Sequence, residues 1–116
     1  MALARVSETG DIEATYGAME PGPFHGTSDY WRAKAFHVAL DLNGRIVMAG
    51  ELSTDTQYMG IGRRLPDGTP DPNFGAGGAI PTQSARTNAF HVLRDGRYVV
   101  AGYGFGGTGL IVRVWD

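Results

Sequence analysis

Asn43-Gly44-Arg45-Ile46-Val47-Met48-Ala49-Gly50 returns 52 residues later as Asp95-Gly96-Arg97-Tyr98-Val99-Val100-Ala101-Gly102. Each copy opens on Asn-Gly or Asp-Gly, the pair that supplies φ > 0 in a two-residue hairpin turn, and then enters a run of apolar, largely β-branched residues. Upstream, Ala35-Phe36-His37-Val38 returns as Ala89-Phe90-His91-Val92 at an offset of 54. Set against the 52 of the glycine segment, that offset implies a second copy two residues shorter before its turn. An even change keeps inward and outward faces in phase. Phe36, Val38 and Leu40 alternate with His37 and Ala39, the period of a half-buried strand. Residues 46–49 and 98–101 are apolar at every position, as in a strand covered on both sides.

Outward from the hairpins, Arg5 to Gly10 with Glu13, Tyr16 and Gly17 matches Arg63 to Gly68 with Asp71, Phe74 and Gly75, 58 residues later. Residues 111–116 repeat the opening of that element a third time. The chain thus reads as one all-β domain over 1–116 holding two hairpin copies and three copies of the strand that follows. Repeat 1 covers about 4–62 and repeat 2 about 63–116. The following strand is placed near 57–65 and 108–115. No segment has helical periodicity. Stretches 18–34, 51–56 and 76–88, interrupted by Gly, Pro, Ser and Thr, read as loops.

Composition agrees. Eighteen Gly and six Pro in 116 residues suit short strands and many turns. A net charge of −2 gives no field that would gather nucleic acid or anionic lipid. The absence of cysteine excludes disulfides, thiol nucleophiles and cysteine metal sites. No apolar run is long enough for a membrane helix, and 1–11 lacks the apolar middle of a signal peptide, so a cytoplasmic location is the default expectation.

The paired motifs resemble the bacterial delta-60 repeat, whose pattern R-L-N-x-D-G-x-L-D-x-x-F-G is followed by D-G-K-I-x-V-A-G. Residues 5–17 match it at Arg5, Gly10, Ile12 and Gly17, with Glu13 for Asp and Tyr16 for Phe; 63–75 match at Asp67, Gly68, Asp71, Phe74 and Gly75, with Pro70 for Leu. The two glycine segments match the second motif with Arg for Lys. The resemblance covers roughly two-thirds of the chain and implies tandem β-propeller-like blades. It assigns no catalytic residue.

Two blades leave two outer faces uncovered, and propellers close with four to eight. The expectation is a ring completed by homo-oligomerisation, three chains giving about six blades. In it, the strand near 2–7 would complete a blade begun by another chain's hairpin. The alternatives are a compact open sheet or sandwich within one chain, or a remnant of a longer repeat array.

Candidate sites are few. His37 and His91, at one repeat position, read as strand histidines rather than metal ligands; His25 stands alone. The glycines fit no phosphate-loop pattern. Glu13 and Asp71 read as turn carboxylates accepting backbone N–H groups. No nucleophile elbow is present, and Asp29, Asp41, Asp55 and Asp95 have no assignable acid–base partner. No cofactor, metal or catalytic residue is therefore assigned. His25, Asp29, Tyr30 and Trp31, with Arg32 beside them and Tyr103 from the second copy's glycine loop, form the one group suited to recognising carbohydrate or peptide. The expected function is a non-catalytic binding or structural module. The alternative is a hydrolase acting in the central channel of an assembled ring.

Overall fold

A computed structural model describes residues 2–18, 32–53, 57–75, 78–82, 85–104 and 106–115. Nine strands follow one another: β1 (Ala2–Val6), β2 (Ile12–Ala18), β3 (Arg32–Leu40), β4 (Ile46–Ser53), β5 (Gln57–Arg64), β6 (Ala79–Pro81), β7 (Ala85–Val92), β8 (Tyr98–Gly104) and β9 (Gly109–Val114). They form three antiparallel sheets in the orders β1-β2, β3-β4-β5-β6 and β7-β8-β9. Among the described residues no helix is long and apolar enough to cross a membrane.

The second and third sheets are two builds of one unit. Leu40 faces Ile46 in the first and Val92 faces Tyr98 in the second, 52 residues on, and each β3–β4 pair from Ala33–Leu52 onward has its β7–β8 counterpart at the same spacing. The two turns are equal in length, with Asp41 N–H bonded to Arg45 O and Leu93 N–H to Arg97 O. The expected two-residue shortening is therefore absent. The Ala-Phe-His-Val string instead slides by two along a ladder of constant period, which leaves the faces unchanged. His37 and His91 are in consequence not equivalent: Ala89 stands at the place of His37.

The turns also differ from expectation. Among the described residues none other than glycine has positive φ, whereas Gly44 and Gly96 lie at 71° and 86°. Each hairpin is a three-residue loop with one left-handed glycine, the other connection that Asn-Gly and Asp-Gly serve. A bulge interrupts the ladder between Ala35 and His37 and again between Thr87 and Ala89. It explains the last glycine of each repeated segment. A Cβ on Gly50 would land on the carbonyl oxygen of Lys34, and one on Gly102 on that of Arg86.

Strands intrude on all three stretches assigned as loops: β2 ends on Ala18, and β4 continues through Ser53 into 51–56. β3 begins within the stretch 18–34, and β6 and the start of β7 fall within 76–88. β6 is a short edge strand ending on Pro81, a place where a residue without N–H is tolerated. β9 supplies the third strand of its own sheet. That place is filled from within the chain, while β1 pairs with β2.

The two larger sheets pack face to face. Val47, Ala49, Met59 and Ile61 of the first meet Ala85, Tyr98, Val100 and Val114 of the second, with Phe74 between them and Phe90, Val92, Leu110 and Val112 at the margin. β7 lies against β3, β4 and β5, and Thr87 Oγ1 donates to Gly50 O at 2.7 Å across the seam. The seam has a direction: the forward face of one unit meets the rear face of the next.

Candidate functional site

At one end of the seam a polar cluster closes over the apolar core. Asp41 opens the β3–β4 turn, and its Oδ1 accepts the backbone N–H groups of Asn43 (2.9 Å) and Arg45 (3.0 Å). Its Oδ2 accepts from Arg45 Nε (2.6 Å) and from the Tyr98 hydroxyl of the other unit (2.9 Å). Arg63 Nε donates to Asp71 Oδ2 at 2.8 Å, and Arg63 Nη1 reaches the Tyr98 oxygen at 3.4 Å. The Arg63 guanidinium lies 4.3 Å from the centre of the Phe74 ring, which meets Tyr98 edge to face. Main-chain bonds from Asp71 N–H to Arg63 O and from Arg63 N–H to Gly78 O hold Asp71 and Gly78 against Arg63.

The cluster brings two carboxylates together, as an acid–base pair would need, but seals both. The side chains of Asp41 and Asp71 are 1% and 3% exposed, and each is matched by an arginine. Burial pushes the Asp41 carboxyl up; the bonds from Arg45, Tyr98 and two main-chain N–H groups outweigh it and hold the group below the usual carboxylate range. Burial pushes the Tyr98 phenol above its ordinary value, so it stays protonated and donates. A carboxylate fixed in its charged form and closed to solvent is unsuited to proton transfer near neutrality. The arrangement fastens one unit to the next.

The equivalent positions in the second unit are more open: the Arg97 side chain is 27% exposed against 16% for Arg45, and Arg113 is exposed where Arg63 is buried. Arg97 and Arg113 hold the places of Arg45 and Arg63, and stack on the Trp115 ring at 4.7 and 5.2 Å. Asp95 pairs with Arg97 through Nε at 2.7 Å.

Of the residues expected to bind a ligand, His25, Asp29, Tyr30 and Trp31 lie outside the described residues. Tyr103 is 42% exposed on β8 and, with Arg86 opposite it on β7 and Gly104, Gly106 and Gly107, borders an open hollow of about 290 Å³. Glu13 lies on β2, while Asp71 Oδ1 accepts the Asn73 N–H at 2.9 Å, as a turn carboxylate does. Among the described residues no three His, Asp or Glu side chains gather around one point.

The seam cluster escaped sequence reading because it sits where the copies differ. Asp41 has Leu93 as its counterpart, and Tyr98 has Ile46. A ladder of constant period would have marked both as exceptions. Compared with models of known families, with curated proteins and with solved structures, the chain finds no match in any of the three.

Proposed function

We propose that this chain is a non-catalytic, β-propeller-like module of the delta-60 kind, whose work is to stack with further units and present their loops. The observation that carries the reading is the directed seam between two units of one build. It uses one face of each and leaves the other two without a partner within the pair. Val38 and Leu40 are 61% and 66% exposed on the rear of the first unit, and Ile111 is 76% exposed on the front of the second. Burying a side chain of this size contributes roughly 1.5–3 kcal/mol, so a few of them drive association. Native mass measured by light scattering at rising protein concentration is expected to pass from the monomer to a multiple of 12.4 kDa. A monomer at every concentration removes the assembling part of the reading.

The hollow beside Tyr103 and Arg86 supports a binding role for the presented loops. An aromatic face next to a guanidinium suits a carbohydrate or a peptide side chain. Tyr103→Ala is expected to lose signals that the unaltered protein gives on glycan or peptide arrays while keeping its circular dichroism. Unchanged signals would move the ligand elsewhere.

A further inference from the structure

Four residues on the forward face of the first unit recur unchanged on the forward face of the second. The β3–β4–β5 ladder puts Val47, Ala49, Ile61 and Arg63 on one side; the β7–β8–β9 ladder puts Val99, Ala101, Ile111 and Arg113 on the corresponding side. The first four are buried beneath the second unit. In the second set Ile111 and Arg113 are exposed, and Val99 and Ala101 are half-buried. The rear faces tell the complementary story. Phe90 and Val92 of β7 pack into the seam, whereas Val38 and Leu40, their counterparts on β3, remain open. Ile46 and Met48 on the β4 part of that rear face are already buried, whereas Val38 and Leu40 on β3 are exposed; inside the chain β7, the counterpart of β3, lies on the neighbouring sheet together with Tyr98 and Val100 of β8 and Val114 of β9.

From this we infer that the open forward face of β7–β8–β9 receives β3 of a second copy of this chain, repeating between molecules the part of the internal seam that β7 makes. The inference rests on the assembling module proposed above and specifies its contact. The interface is head to tail, with Ile111 of one copy over Val38 and Leu40 of the next. The β1–β2 hairpin stands on the approach. β1 repeats the strand sequence of β5 and β9, with Arg5, Arg63 and Arg113 in register, and Ala4 and Arg5 border an open groove of about 310 Å³ beside Val38, Leu40 and Ile46. Among the described residues β1–β2 pairs with neither larger sheet, so the proposed contact requires it to give way to the β9 of the neighbouring copy that receives this β3.

A head-to-tail contact has a signature that a symmetric one lacks. Val38→Glu spoils the rear face and Ile111→Glu the forward face. Each variant alone is expected to associate more than about a hundredfold more weakly, because an unpaired carboxylate would be buried. Mixed in equal amounts they should form a heterodimer, the intact forward face of V38E on the intact rear face of I111E, and stop there. Both residues lie in water in the single chain, and a melt of each variant checks its fold. Leu40→Glu and Arg113→Glu repeat the test should either fail to fold. Unaltered association of V38E and I111E alone, with the parent protein still assembling, overturns this contact and leaves the assembling module standing. Loss of association by I111E only, without rescue on mixing, replaces it by a symmetric contact between forward faces. A parent protein that stays monomeric removes the module and the contact together.

Discussion

Tyr98 reaches across the seam, its hydroxyl between the Arg63 guanidinium and the Asp41 carboxylate. Tyr98→Phe keeps the ring against Phe74 and Phe90 and removes one donor from a buried carboxylate, an unsatisfied group that costs about 1–3 kcal/mol. The effect has a pH dependence of known sign. Asp41 is held below its ordinary value of 3.8, so its contribution to stability is fully present above that value and is lost as pH falls through the lower, folded-state value. Removing the Tyr98 bond raises the folded-state value. Acid unfolding of Tyr98→Phe, followed by circular dichroism, is therefore expected at higher pH than in the parent, with a lower melting temperature at pH 7. An unshifted acid limb would show that Arg45 and the main chain hold Asp41 unaided. At this scale the sequence was nearly mute, because a partnership confined to one copy leaves no trace in what the copies share.

Strands β4 and β8 were legible from a glycine turn followed by an unbroken apolar run, and β3 and β7 from the alternation and the repeated tetrapeptide before it. The run's implication that both sides are covered holds for β4, while Val99 and Ala101 leave one side of β8 only half-buried. β2 and β6 were not. Beside Gly10 and Gly17, and between Gly78 and Pro81, the local signal is that of a turn, and pairing with an established neighbour overrides it. The type of turn was misread for a related reason: Asn-Gly serves two hairpin connections that differ in the φ of a single residue. The register was misread because a repeated tetrapeptide records side-chain chemistry, whereas strand pairing is set by the turn and the bulge. Glycine substitutions separate these demands. Gly44→Ala meets nothing within 4 Å but keeps a left-handed φ, and is expected to cost about 1–2 kcal/mol. Gly50→Ala drives a Cβ into main chain and is expected to cost more, seen in urea unfolding as the lower midpoint of the two. Equal midpoints would mean that the bulge relaxes.

For the whole molecule, the two-unit architecture was readable and the direction of stacking was not, since it depends on which side of each strand the ladder turns toward its neighbour. Of the residues proposed for recognition, Tyr103 is among the described ones and lies on an open sheet face beside Arg86. The expected assembly joins largely apolar surfaces, and the net charge is −2. Its midpoint in protein concentration should accordingly move little between about 0.05 and about 0.5 M salt, a range over which the Debye length falls from more than ~10 Å to a few Å. A strong salt dependence would point instead to the arginines beside Trp115.

The polarity of the seam also bears on how such a molecule can be inherited. If the proposed join between two copies holds, duplicating the coding segment in tandem would turn a bimolecular encounter into a tethered one. The effective concentration would then be set by the linker rather than by the cell. Lengthening or splitting the gene would alter how many covalent breaks the finished object contains, while its walls stayed the same.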